Sequence, residues 1–183
     1  LRPPPFVRDQ KTRLGTFEAE PILSLGDDIT TDHISPAGRI DPQSPAGRWL
    51  IERGADPADL NVFAAYRGNW EVMVRGLFSN ASVVNELGPD IPPGATLSPV
   101  SGRILPLWEA GQELRAAGRA AVILAGHRYG MGSSRDWAAK GVALLGVRAV
   151  IASSFERIHR QNLVGMGVLP IVVGEGWPSV RSR

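Results

Sequence analysis

The sequence predicts an α/β domain containing parallel strands, and its C-terminal third carries that prediction. Three apolar runs have the length of buried strands: AAVILA at 120–125, VRAVIA at 147–152 and VLPIVV at 168–173. Helical patterns separate them, at 134–145 and from 153 to about 163. The order strand–helix–strand–helix–strand implies a parallel arrangement, because each return to the same sheet edge needs a crossover helix.

The elements follow in order. Residues 1–20 are mostly polar, with prolines at 3–5, and read as a linker or N-terminal arm; residues 21–183 read as one domain. The stretch PILSL at 21–25 is extended and apolar, and TTDHISPAG at 30–38 reads as a loop. Ser44 as N-cap, Pro45 as first helical residue and Gly54 as C-cap frame a short helix ending near Arg53. A second short helix is expected over 69–78, and the prolines at 89, 92, 93 and 99 mark 85–103 as loop. Pro106 opens a helix whose apolar face is Leu107, Ala110, Leu114 and Ala117, closed by Gly118. The 134–145 helix presents Trp137, Gly141, Leu144 and Leu145 on one face, with Gly146 as its cap. SSFE at 153–156 has the spacing of a capping box.

Composition narrows the function classes. A chain of 183 residues with 43% hydrophobic and 21% charged residues suits one domain with a real core. The net charge is only +2, so charge gives no case for nucleic acid. Without cysteine the chain forms no disulfide and no cysteine-ligated metal site. His33, His127 and His159 lack metal-ligand spacing. No apolar run reaches membrane-span length and residues 1–10 lack a signal-peptide core, so the expected location is cytoplasmic, with no membrane partner.

The chemistry concentrates in GHRYGMGSSRDWAAKG, at 126–141. Gly130 and Gly132 lead into Ser133, Ser134 and Arg135, between a strand and a helix start. Glycines let backbone approach a ligand, open N–H groups at a helix start favour negative charge, and a guanidinium matches a carboxylate or phosphate. The expected ligand is a small anion. The plainer alternative is that Ser133 caps the helix and Arg135 pairs with a neighbouring carboxylate. Neither a Walker loop nor a dinucleotide fingerprint is present. Ser133 as cap, as nucleophile and as alkoxide base all remain open on spacing alone.

Four stretches taken together resemble one family: GDDITTDHISPAG (26–38), YRGNWEVMVRGLFSN (66–80), YGMGSSRDWAAKG (129–141) and SFERIHRQNLVGMGVLP (154–170). They resemble, in the same order, the C-terminal swivel domain of type A aconitases, the group that includes iron-regulatory proteins and 2-methylisocitrate dehydratases. The likeness covers about residues 21–173. It implies a β/β/α swivelling domain and a hydro-lyase that moves water between neighbouring carbons of a tricarboxylate such as citrate, isocitrate or 2-methylisocitrate. It implies a [4Fe-4S] iron–sulfur cluster held by cysteines of other domains, since this chain has none.

Residue by residue, the resemblance implies Ser133 as the base, Ser134 as its neighbour near substrate, and Arg135 and Arg53 as carboxylate-binding arginines. Asp32 and Ser35 correspond to an active-site loop that orients substrate. Arg67 and Arg75 are read as salt-bridge arginines, and His33 and His159 as structural. The implied partners are cluster-bearing domains or a large subunit. Two other functions stand beside this one: a free-standing small subunit of the isopropylmalate-isomerase kind, and an RNA-binding module of the iron-regulatory kind. RNA is not expected, because no basic stripe with aromatics is present.

Overall fold

The computed structural model describes residues 2–5 and 16–174. Its first half runs β1 (Ala19–Ser24), α1 (Thr31–Ile34), α2 (Pro45–Ile51), a 3-10 turn (Phe63–Tyr66) and α3 (Trp70–Arg75). The second half runs β2 (Ala95–Leu97), β3 (Ile104–Pro106), α4 (Leu107–Ala116), β4 (Ala120–Ala125), α5 (Asp136–Leu144), β5 (Val147–Ala152), α6 (Arg157–Gly165) and β6 (Leu169–Val172). Four strands form one sheet in the order β1-β4-β5-β6, every pair parallel. The antiparallel ribbon β2–β3 is separate. The predicted α/β class is the observed one, and the stretch at 21–25 supplies its fourth parallel strand. Most of the expected arm, residues 1 and 6–15, lies outside the described residues, as do residues 175–183.

The core follows from the apolar patterns. Ile22, Leu23, Ile123 and Val150 on the sheet are buried, as are Ala138, Val142 and Leu145 in and after α5. Burying each large aliphatic side chain contributes roughly 2 kcal/mol. The face expected for α5 is buried throughout, and α4 buries Leu107, Ala110 and Leu114. Ala117, expected on that face, is exposed because it is the C-cap rather than part of the helix. Gly141 brings α5 against the segment after α3: a Cβ there would overlap the Leu77 side chain.

Several boundaries differ, each for a local reason. Ser44 caps α2 by accepting the Gly47 N–H at 3.0 Å, as expected, but the helix ends at Ile51 and a turn carries the chain to Gly54. The region 30–38 is not all loop, since Thr31–Ile34 makes one helical turn. β2 lies inside the segment expected to be loop. α5 starts at Asp136, with Arg135 as N-cap, and α6 starts at Arg157, with Glu156 as N-cap. The expected capping box at 153–156 does not form: α6 begins only after Glu156, and the Ser153 N–H that Glu156 would have to bond donates to Gly126 O at 3.1 Å. Ser154 Oγ accepts the Arg128 N–H at 2.8 Å and Ser154 O accepts the Tyr129 N–H at 3.0 Å. β6 forms where a third strand is expected, at one edge of the sheet, and is largely exposed.

In a parallel sheet all strands end on the same edge, and ligands bind beyond that edge. Here the segments following β1, β4 and β5 meet there. The pairing continues past the strands as single parallel bridges, Thr30 with Met131 and Tyr129 with Phe155.

Candidate active site

The serine-bearing turn is built by backbone bonds between these segments. Gly130 donates to Ile29 O at 2.7 Å, Thr31 donates to Met131 O at 2.8 Å, and Glu156 donates to Tyr129 O at 3.0 Å. Gly130 (φ +87°) and Gly132 (φ +94°) take left-handed conformations that side chains disfavour. The turn lifts Ser133 and Ser134 to the surface, both exposed. The Ser133 carbonyl accepts the Thr31 hydroxyl at 2.8 Å.

Neither serine is the cap that the plainer reading required. Arg135 is the N-cap of α5, and no side chain caps α5 or α6. The hydroxyls of Ser133 and Ser134 make no hydrogen bond within the described residues. The other half of that reading does hold, because Arg135 meets Asp32 at 2.7 Å. An arginine has five N–H donors, so this ion pair fixes its guanidinium and leaves donors for a second carboxylate.

Two small cavities flank the turn. One, of about 180 Å³, is lined by Ser133, Ser134, Arg135, His159 and Asn162 among others. The second, of about 170 Å³, is lined by Ser35, Ser134, Arg135, Trp137 and Arg67 among others. Thus Ser133, Ser134, Arg135, Asp32 and Ser35 come together although about a hundred positions separate the two groups. Asp32 reaches the site through Arg135, and Ser35 is buried at the C-cap of α1.

Arg53 lines neither cavity. Its guanidinium lies 3.9 Å from the centre of the Trp49 ring, donates to Trp49 O at 3.1 Å and sits 3.6 Å from Glu52. Arg67 lines the second cavity together with Ser134 and Arg135. It makes no ion pair within the described residues, so the salt-bridge expectation fails for it. The Trp137 indole N–H donates to Arg67 O at 3.0 Å and fastens its backbone to α5. Arg75 also forms no ion pair there: it donates to Glu71 O at 2.6 Å between the Trp49 and Trp108 rings. Burial lowers its pKa.

His159 is 2% exposed, and neither ring nitrogen finds a hydrogen-bond partner among the described residues. Its ring packs under Gly130 and against Tyr129, at 5.3 Å between centroids. Desolvation lowers its pKa from 6.5 to about 4. The unfolded chain therefore takes up this proton near pH 6.5 and the folded chain only near 4. Stability is expected to be full above that window and to fall by about 3 kcal/mol as pH drops through it. His159→Phe keeps the packing and is expected to remove that share of the loss, measured by urea unfolding near neutral pH and near pH 4.5.

The cluster that the resemblance implies finds no cysteine ligand on this chain. There is no cysteine, and no group of three His, Asp or Glu among the described residues could hold a metal ion. Among the described residues no helix is long and apolar enough to cross a membrane.

Residues 46–176 match the family model described as Aconitase C-terminal domain. Aconitate hydratase A of Deinococcus radiodurans is 52% identical over 158 residues, covering 86% of this chain and 17% of that protein. Phosphinomethylmalate isomerase of Streptomyces viridochromogenes is 50% identical over 175 residues, covering 93% of this chain and 20% of that protein. The chain thus spans about a fifth of the length of these curated relatives. Among solved structures, a 3-isopropylmalate dehydratase from Methanocaldococcus jannaschii covers 86% of this chain and 61% of its own, with 25% identity and a TM-score of 0.43.

Proposed function

The chain belongs to the aconitase C-terminal domain family, and from that premise we propose that it is the base-supplying, carboxylate-binding part of a hydro-lyase acting on a tricarboxylate such as citrate, isocitrate or 2-methylisocitrate. The observation that carries the reading is the Ser133 turn. A hydroxyl without a hydrogen bond among the described residues stands on a glycine-shaped loop, beside a fixed guanidinium, and lines a cavity of about 180 Å³.

Ser133 Oγ takes the carbon-bound proton of the hydroxy acid. The C–H electron pair becomes the double bond as hydroxide leaves the neighbouring carbon. In the return direction water adds and Ser133 gives the proton back. A serine does this only as an alkoxide, and the nearby cation and uncapped helix start favour that form. Arg135 and Arg67, facing one cavity, grip a carboxylate from two sides, with Ser134 and Ser35 as hydroxyl donors. Asp32 holds Arg135 in place. In this reading Arg67 takes the second arginine role that the resemblance assigned to Arg53.

Departure of the hydroxyl belongs to groups outside this chain. We assign those to cluster-bearing domains, on the same polypeptide or on a large subunit, with the segment before Ala19 as the linker to them; the domain starts two residues earlier than expected, because Ala19 and Glu20 belong to β1 and pair with β4. Relatives named for aconitate and for phosphinomethylmalate both match at about half identity, which supports a grip on carboxylates in general over one for a single substrate.

The test is a nuclear magnetic resonance titration of this chain with citrate. Amide shifts are expected to cluster at Arg67 and at 132–137. Arg67→Ala is expected to weaken binding by roughly tenfold or more, as loss of a charge-assisted bond does. Shifts confined to other surfaces contradict the assignment.

A further inference from the structure

His33 lies outside both cavities, yet its hydrogen bonds lead to the serine turn. Its Nδ1 accepts the Thr30 N–H at 3.1 Å. A ring nitrogen that accepts there carries no proton, so in the neutral imidazole the proton is on Nε2. Nε2 is 3.1 Å from Ser82 Oγ. The Ser82 hydroxyl in turn donates to Asn80 Oδ1 at 2.8 Å, and the Ser82 N–H donates to the same oxygen at 3.0 Å. That backbone donor identifies the Asn80 atom as its carbonyl oxygen. The Ser82 hydrogen is therefore directed at Asn80, and Ser82 Oγ is left to accept from Nε2–H.

Every hydrogen bond in this chain has one direction: His33 accepts from α1's own cap and donates to the Asn80–Ser82 turn. α1 needs this hold, because one helical turn of four residues is marginal alone. Thr30 Oγ1 accepts the His33 N–H at 3.1 Å, which completes a reciprocal capping box. The two residues between Thr30 and His33 then reach the site. Thr31 donates to the Ser133 carbonyl and Asp32 pairs with Arg135.

We propose that His33 is a positioning residue for Ser133 and Arg135: a neutral imidazole, protonated on Nε2, that locks α1 between the Asn80–Ser82 turn and the serine turn. Its value to catalysis rests on the function proposed above, whereas its effect on the geometry of Ser133 and Arg135 does not.

The experiment uses this chain with His33→Ala, His33→Gln and Ser82→Ala, and reads citrate affinity together with the resonances of Ser133 and Arg135. Glutamine at this position supplies both an acceptor for Thr30 and a donor for Ser82. His33→Ala is expected to weaken citrate binding by about tenfold and to shift both resonances, as removal of a linking side chain in a coupled network does. His33→Gln restores affinity and resonances, and Ser82→Ala, on an exposed residue, gives a smaller change in the same direction. A role confined to stability predicts a lower melting temperature with unchanged affinity and resonances well below it. That outcome overturns the proposal, as does His33→Gln failing to restore what alanine removes. Should His33→Ala not fold, Ser82→Ala with parental affinity and resonances overturns it. A parent chain that binds no citrate sinks the proposed function, and the His33 assignment is then decided by the resonances alone.

Discussion

Ser133→Ala is expected to lower the hydration of cis-aconitate by about a thousandfold, the scale of a lost general base, when this chain is combined with cluster-bearing domains. The same change is expected to leave unfolding free energy within about 0.5 kcal/mol of the parent, as at other unengaged surface positions. Both expectations come from one geometry. The hydroxyl is exposed and makes no hydrogen bond among the described residues, while the carbonyl that Thr31 grips survives in alanine. A helix-capping serine behaves the other way: its loss costs about 1 kcal/mol of stability and little activity. Initial rates and urea unfolding of the two proteins separate these cases. An alanine variant as active as the parent removes Ser133 from the role of base.

Gly130→Ala is expected to destabilise the fold by about 3 kcal/mol, summing left-handed strain and overpacking. Gly130 has φ +87°, and a Cβ there would overlap the His159 ring. That ring has little room to retreat, being 2% exposed and packed on Tyr129, which is itself fully buried. Gly38→Ala is the control: the residue has no positive φ and its added Cβ meets nothing within 4 Å. Urea unfolding midpoints measure both. Parental stability in Gly130→Ala contradicts the description of the turn as a glycine-dependent packing of backbone on imidazole.

The periodic segments were legible from the sequence because burial dictates their pattern. β4, β5 and the buried face of α5 appear where their apolar residues put them. Helix starts were less legible, since the groups that decide them come from other strands. Ser153 and Glu156 look like a capping box until Gly126 O claims the Ser153 N–H and the helix starts after Glu156 instead. α1, β2 and β3 are too short for any period to show. β6 has a buried strand's composition but lies at the sheet edge, which only topology reveals.

The site shows the same division. The anion-binding character of Gly130, Gly132 and Arg135 is readable locally, whereas the meeting of Asp32 with Arg135 depends on β1 pairing with β4. Arg67 carried no distinguishing local signal beyond its place in YRGNW. Its position follows from the bond between Trp137 and its carbonyl, seventy residues apart. Arg53 lies in the turn just past α2 rather than at the helix end, and the neighbouring Trp49 ring holds its guanidinium there.

The central claim is that this chain completes a hydro-lyase whose metal chemistry resides elsewhere. The most direct test is cis-aconitate hydration by cluster-bearing domains measured with and without the chain. The account predicts hydration that appears on adding the parent chain and is nearly absent with Ser133→Ala. Hydration that is unchanged by the chain, or equal for parent and alanine variant, contradicts it.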